Sequence, residues 1–439
     1  MAWTRRRFLQ TSTASLLGLS TMGMRPPWAL GQSKPKLTIG AILTLTGGNA
    51  ITGKTIRDGA RVAEATINES GGLADQFEVN LVVQDSQTKQ TEAVNAANRL
   101  ASRGDVSFVI GPIIASLGLA VQPILAAAEI PQLFFGASRD FLAQHDRFPL
   151  SIMYGTGLVP QHAPVIKYAA EQRGHRNLYI LAPNTDRGQD AMESLRGRIG
   201  QLDDGNIVGT DVYPPFNTDF STLVTKARNS EADGVFLATG IPAEIIAAAQ
   251  EFKRQGIDVE EFGFYTSRTP NGSIEFRDQL AATGDADGLI FPWLYASPQM
   301  ARAFDGEIPS LAQASRLETA FQQVMDEPMA PINGQLAAWG WDSLQVIQQA
   351  IEGLIDRDGT AAVTSLDPVR ELPQAVIEEI LPASGAETGP ALETAFGTAG
   401  FLPCGQFNTR YGVATFDGPR QRLLIPRGYG NELIGSLCP

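Results

Sequence analysis

Leu37-Thr38-Ile39-Gly40-Ala41-Ile42-Leu43 is an apolar run of strand length, and Thr55–Ser70 behind it carries Ile56, Ala60, Ala63 and Ile67 at the spacing of one helix face. Gly71-Gly72 ends that helix. Outward from this pair the alternation continues. Phe77–Asp85 reads as a strand, Glu92–Ser102 as a helix, and Val106–Ile110 as a strand closed by Gly111-Pro112. Leu117–Ala128 follows as a helix and Gln132–Phe135 as a strand. A second series repeats the theme: strands at Asn177–Ala182, Ile207–Tyr213, Gly234–Thr239, Phe262–Thr266 and Leu289–Trp293, with helices at Gly188–Arg198, Ser221–Asn229 and Ala243–Arg254. Thr218 and Asp219 read as N-caps for the middle helix. This order predicts an α/β fold of two Rossmann-like lobes, each a parallel sheet wrapped by helices. Ligands in such sheets bind at the carboxyl ends of the strands. Later come helices at Leu311–Met325, Gly334–Leu354 and Pro373–Leu381, a Gly/Ala/Pro-rich loop at Pro382–Thr398, and a strand at Tyr411–Phe416.

The chain opens with Arg5-Arg6-Arg7, then runs from Phe8 to Met24 without a charge, and reaches the small residues Ala29-Leu30-Gly31. A basic head, an apolar stretch and a small-residue exit make a secretory signal over residues 1–31. Thr4-Arg5-Arg6-Arg7-Phe8-Leu9-Gln10 resembles the twin-arginine consensus, which implies the twin-arginine export machinery as a partner and the periplasm as the destination. The competing reading, a membrane anchor, fits poorly with a short stretch rich in Ser, Thr and Gly. The remaining chain is too long for one core and suits two lobes. With 34 basic and 47 acidic residues the net charge is −13, and loss of Arg5, Arg6, Arg7 and Arg25 makes it more acidic still. Such a surface is repelled by nucleic acid and anionic lipid. In an oxidising compartment Cys404 and Cys438 could pair, closing a loop worth roughly 4 kcal/mol; two free thiols are the alternative.

One motif points elsewhere. Gly48-Asn49-Ala50-Ile51-Thr52-Gly53-Lys54-Thr55 fits the phosphate-binding loop pattern between a strand and a helix. Export away from nucleotide triphosphates opposes that reading, and so does the absence of a magnesium carboxylate beyond Asp85. His145, His162 and His175 stand at unrelated spacings in polar surroundings and read as surface residues, not as metal ligands or catalysts. Gly136-Ala137-Ser138-Arg139-Asp140 misses the last glycine of a nucleophile elbow. Gly155-x-Gly157 lacks the third glycine of a dinucleotide loop. Trp339 and Trp341 share a helix with Leu344, Ile347 and Ile351 and read as core. No cofactor is expected, and no paired nucleophile and base supports an enzyme.

The order of segments resembles the periplasmic substrate-binding proteins of branched-chain amino-acid and amide ABC transporters over nearly the whole mature chain. The resemblance rests on Leu37-Thr38-Ile39-Gly40-Ala41-Ile42 leading to Thr46-Gly47 and Gly59-Ala60, on Ile67-Asn68 with Gly71-Gly72, and on Asp85 with Ala93 and Ala96. Its most specific piece is Val109-Ile110-Gly111-Pro112 with Ser116, Ile130-Pro131 and Gly136-Ala137-Ser138. Asp219-Phe220-Ser221 and Ala414-Thr415-Phe416-Asp417-Gly418 complete it. The resemblance implies a type I periplasmic binding fold with three hinge crossovers: lobe one at 34–152 and 293–400, lobe two at 153–292 and 401–439. It implies a monomer that closes over a small ligand and hands it to permease subunits.

The resemblance also implies where the ligand sits. A ligand carboxylate would meet lobe one at Ala115-Ser116 and Ala137-Ser138, with Ser116 just ahead of a helix whose amides and dipole attract an anion. Either serine could instead cap a helix or form a turn. In lobe two, Arg187 stands where the family commonly has an aromatic residue, and Ser267 and Arg268 stand where it often has an acid. Tyr154, Thr156, Tyr265 and Thr52 complete the candidates. Two arginines without an acid favour a ligand with a second anionic or polar acceptor, or one without an ammonium group; arginines directed to solvent are the other reading. A ligand sensor on the same fold is the alternative function, and an exported enzyme the more distant one.

Overall fold

The computed structural model describes residues 34–155, 157–259, 261–267, 286–294, 311–329, 334–382, 386, 388–408, 411–417, 420–425, 429 and 431–434. The signal segment, Thr156, Arg268 and Cys438 lie outside them.

The first sheet holds β1 (Lys36–Leu43), β2 (Glu78–Asp85), β3 (Val106–Ile110), β4 (Gln132–Phe134) and β5 (Ser151–Met153), all parallel, in the order β2-β1-β3-β4-β5. β1 is buried along its length after Lys36, as a strand covered on both faces must be. Its side chains alternate between two cores. Leu37, Ile39 and Ala41 face a cluster shared with α1 (Ala50–Glu69), α9 (Leu311–Met325), α10 (Gly334–Asp358) and α12 (Glu371–Ile380). Ile42 faces the opposite cluster, filled by Ala93, Ala96 and Leu100 of α2 (Gln90–Ala101) and Leu117, Val121 and Leu125 of α3 (Ala115–Ala127). At the end of β3 the chain turns through Gly111 at φ +87, where a Cβ would lie 2.5 Å from the Ile42 carbonyl oxygen.

The second sheet holds β6 (Asn177–Pro183), β7 (Asn206–Tyr213), β8 (Gly234–Leu237) and β9 (Gly263–Thr266), again parallel, in the order β7-β6-β8-β9. One face packs on α7 (Ser221–Arg228) and α8 (Pro242–Arg254) through Phe220, Val224, Ile245 and Phe252. The other packs on α5 (Leu158–Gln172) and α6 (Asp186–Ile199) through Ile166, Ala169 and Leu195. A small antiparallel sheet of β10 (Phe291–Trp293), β13 (Gly412–Asp417) and β14 (Arg420–Ile425) extends this lobe, joined by a bridge from Tyr265 to Ile290. The stretch expected as loop at 382–398 instead holds the hairpin of β11 (Leu392–Thr394) and β12 (Gly397–Ala399), whose turn amide at Ala395 donates to both carboxylate oxygens of buried Asp342 at 3.0 Å.

Among the described residues the chain passes between the two sheets three times. It leaves the first after β5, returns between Trp293 and Leu294, and leaves again between Tyr411 and Val413. Phe401, Phe407 and Tyr411 therefore pack with the first sheet, beyond the boundary expected at residue 401. This is the α/β architecture of two lobes that the sequence pattern implied, joined by the crossovers that the resemblance implied.

Candidate functional site

In each sheet the strand order reverses at one point, between β1 and β3 in the first and between β6 and β8 in the second. Loops leaving neighbouring strands there run to opposite faces and open a crevice at the carboxyl edge. The helices that follow these four strands are α1, α3, α6 and α8. Their N-termini meet in one cleft of about 560 Å³. Asn49 and Thr52 come from α1, Ala115 and Ser116 from α3. Asp186 and Arg187 come from α6, with Gly240 and Ile241 ahead of α8.

Helix starts leave backbone amides without intrahelical acceptors, and aligned peptide dipoles make each start attractive to an anion. α3 and α8 have isoleucine N-caps, Ile114 and Ile241, which cannot accept, and Asn49 makes no side-chain cap on α1. α6 differs, because the Thr185 hydroxyl accepts from the Gly188 amide at 3.1 Å. Three starts in one cleft thus lack a side-chain cap, a ready setting for a carboxylate. Arg187 adds positive charge and Asp186 a carboxylate beside it. Phe135 and Trp339, stacked with centroids 6.5 Å apart, form an apolar wall with Tyr411. Trp339 is 7% exposed, and its indole nitrogen has no partner among the described residues.

The cleft gathers Thr52, Ala115, Ser116, Ala137 and Arg187 from the expected residues. Others go elsewhere. Ser138 caps the short α4 (Arg139–Leu142), accepting from the Phe141 amide at 3.2 Å. Tyr154 is buried among Phe396, Phe401 and Phe407, and burial, then the nearby Asp342 carboxylate, pushes its hydroxyl well above the usual tyrosine range. Tyr265 is buried with its hydroxyl 2.6 Å from His175 Nδ1. Ser267 is buried against His162. Thr156 and Arg268 lie outside the described residues. Cys404 is disulfide-bonded, and the chain's other cysteine, Cys438, lies outside the described residues.

Two histidines expected at the surface are buried. His162 on α5 is 0% exposed, with Nδ1 2.9 Å from Ser194 Oγ and Nε2 2.8 Å from Ser267 Oγ. Burial first, then the Arg187 and Arg198 charges, lower its pKa to about 3, so it stays neutral. Hydroxyl partners on both ring nitrogens make that burial tolerable. Trp339, expected in the core, is buried yet forms part of the cleft wall. Sequence reasoning missed Asp186, Gln161, Thr239 and Trp339; Asp186 was signalled by its place beside Arg187 in the first turn of α6.

The phosphate-loop motif does not form a loop. α1 begins at Ala50, so Gly53, Lys54 and Thr55 lie inside it, and the Thr55 hydroxyl donates to the Ile51 carbonyl at 2.9 Å. Asp85 accepts from the Thr46 hydroxyl at 2.6 Å and from the Leu45, Thr46 and Gln87 amides. Burial raises its pKa, but these bonds outweigh burial and hold it below the usual carboxylate range. Among the described residues no group of His, Cys, Asp and Glu is placed to hold a metal ion.

Comparison with known proteins agrees with this geometry. The Leu/Ile/Val-binding protein BraC3 of Rhizobium johnstonii is 27% identical over 215 residues, 49% of this chain and 57% of the relative. Leu/Ile/Val-binding protein homolog 3 of Brucella melitensis is 26% identical over 203 residues, 46% of this chain and 53% of the relative. The chain thus spans somewhat over half of these curated relatives. Among solved structures, the substrate-binding protein LivJ of Streptococcus pneumoniae in complex with isoleucine superposes with TM-score 0.69 at 18% identity, over 89% of this chain and 100% of that one. A solute-binding protein of R. palustris in complex with 4-hydroxybenzoate superposes with TM-score 0.66 at 15% identity, over 89% and 96%. The family model for periplasmic binding proteins matches residues 36–417. The chain therefore belongs to the periplasmic binding protein family, in its type I architecture.

Proposed function

We propose that this chain is the solute-binding component of an ABC transporter, closing two lobes over a small ligand that carries a carboxylate. The observation that carries the reading is the meeting of uncapped helix starts α1, α3 and α8 with Arg187 in one cleft. Its volume, about 560 Å³, suits a small molecule. Lobe one supplies Ser116, and the wall of Phe135, Trp339 and Tyr411 receives an apolar ligand body. The crossings after β5, at Trp293–Leu294 and at Tyr411–Val413 act as the hinge, with lobe one running through β5 and Tyr154 and lobe two from α5 to Trp293. Residues 1–31 direct export through the twin-arginine machinery to the periplasm, and among the described residues no helix is long and apolar enough to cross a membrane.

Asp186 divides the ligand classes. A carboxylate there is the partner an ammonium group needs, which brings amino acids back beside ammonium-free acids. LivJ of S. pneumoniae holds isoleucine and the R. palustris protein holds 4-hydroxybenzoate, one of each class. Titration calorimetry of ligand-stripped protein with isoleucine and with 4-hydroxybenzoate tests the reading. Arg187→Ala is expected to weaken whichever binds by about tenfold or more, the worth of a charged hydrogen bond. Asp186→Asn is expected to weaken isoleucine alone. Unchanged affinity in Arg187→Ala would remove the arginine from the site.

A further inference from the structure

A second cavity, of about 610 Å³, lies beside the hinge and shares Ala137 alone with the ligand cleft. Leu142, Met153 and Gln406 come from lobe one, Met153 from the end of β5, and Leu158 and Val159 from the first turn of α5. The floor is α6, through Asp190, Gly197 and Arg198. The exposed Arg139–Glu193 ion pair, 2.6 Å, ties α4 to α6 next to it.

Two donors in this wall have no acceptor among the described residues. Gln406 Nε2 and Arg198 Nε are both buried and unpartnered. Gln406 is 2% exposed, and its backbone is held in place: the Met153 amide donates to the Gly405 carbonyl at 2.7 Å and the Phe407 amide to the Met153 carbonyl at 2.9 Å. Arg198 satisfies one terminal nitrogen on the Ile434 carbonyl at 2.5 Å, and burial lowers its pKa. Gly157, the N-cap of α5, gives no side-chain cap, and a Cβ there would stand 3.2 Å from Gln406 Nε2. Asp190 has its pKa raised by burial, then by Asp140, Glu193 and Asp186, which lessens its repulsion of an anion. A buried donor left without an acceptor costs about 1–3 kcal/mol. Donors on two walls, set among Leu142, Met153, Leu158 and Val159, call for an acceptor group attached to an apolar body.

We propose that the hinge cavity is a second binding site, taking a small monocarboxylate with an apolar body. The carboxylate bridges Gln406 Nε2 of lobe one and Arg198 Nε of lobe two. Both atoms are shut off from water, so the ligand enters as the lobes part and is enclosed as they close.

Fluorine NMR with 4-fluorobenzoate at millimolar concentration tests this. Gly197 lies within α6 and a Cβ there meets open space, so Gly197→Leu fills the cavity without disturbing the helix. A bound resonance is expected in the wild type and in Ser116→Trp, which blocks the ligand cleft. Gly197→Leu is expected to abolish it, and Gln406→Leu to weaken it by about tenfold while leaving the protein at least as stable. The proposal is overturned if no resonance appears, or if the resonance survives Gly197→Leu. A resonance lost in Ser116→Trp alone would place the probe in the ligand cleft, against this proposal and in favour of the first.

Discussion

His162 shows how much a single residue's surroundings decide. Its imidazole lies between two serine hydroxyls, one ring nitrogen donating and the other accepting, with Arg187 close enough to oppose a charge. The folded pKa is about 3, against about 6.5 in an unfolded chain. Above pH 6.5 neither state carries the proton. Below it the unfolded chain takes a proton that the folded one refuses, so stability falls with pH until about 3. The slope is about 1.4 kcal/mol per pH unit within that window. His175, also lowered chiefly by burial, acts in the same direction. Urea unfolding between pH 7.5 and 4.5 is expected to show a flatter pH dependence for His162→Gln than for the wild type; parallel slopes would refute the assignment. At this scale the sequence was a partial guide. Ser116 and Ser138 are the same residue type in similar loops, yet one lines the cleft and the other accepts from the Phe141 amide. Asp186 and Trp339 reach the cleft through the packing of distant segments, which no local spacing encodes.

At the scale of elements, α1 and α10 cross so closely that neither has room for a methyl group at the contact. A Cβ on Gly59 would lie 1.9 Å from the Ala337 carbonyl oxygen, and one on Gly340 would lie 2.0 Å from the Ile56 carbonyl oxygen. Backbone cannot yield as a flexible side chain can. Gly59→Ala is therefore expected to destabilise by about 2 kcal/mol despite the better helix propensity of alanine. It should also weaken ligand binding, because α1 carries Thr52 and α10 carries Trp339 into the cleft. Denaturant midpoints and calorimetry check both effects; an unchanged midpoint would mean that the helices part freely. The alternation of strand and helix was legible because buried parallel strands are short apolar runs. α5 was not, since Pro160 and Pro164 disguise it. Pro160 is tolerated because first-turn amides lack intrahelical acceptors in any case. The β11–β12 hairpin was hidden in a Gly- and Pro-rich stretch because its turn is held by Asp342, far away in the chain.

At the scale of the whole molecule, two sheets present their reversal points to one cleft, and among the described residues the chain crosses between them three times. The duplicated α/β series announced the two lobes. The last crossing was harder to read, because Phe401, Phe407 and Tyr411 stay with the first core and nothing local marks the change. The central claim is that a ligand bound between the lobes, against the start of α3, stabilises this arrangement. Thermal unfolding of refolded, ligand-stripped protein tests it, run with branched-chain amino acids, amides and aromatic carboxylates on the wild type and on Ser116→Trp. At a hundredfold excess over the dissociation constant, a ligand that binds the folded state alone adds about 2.7 kcal/mol. The wild type is expected to gain that stability with at least one member of the panel, and Ser116→Trp to gain clearly less with that member. Equal gains in both proteins, or no gain with any member, would contradict the claim.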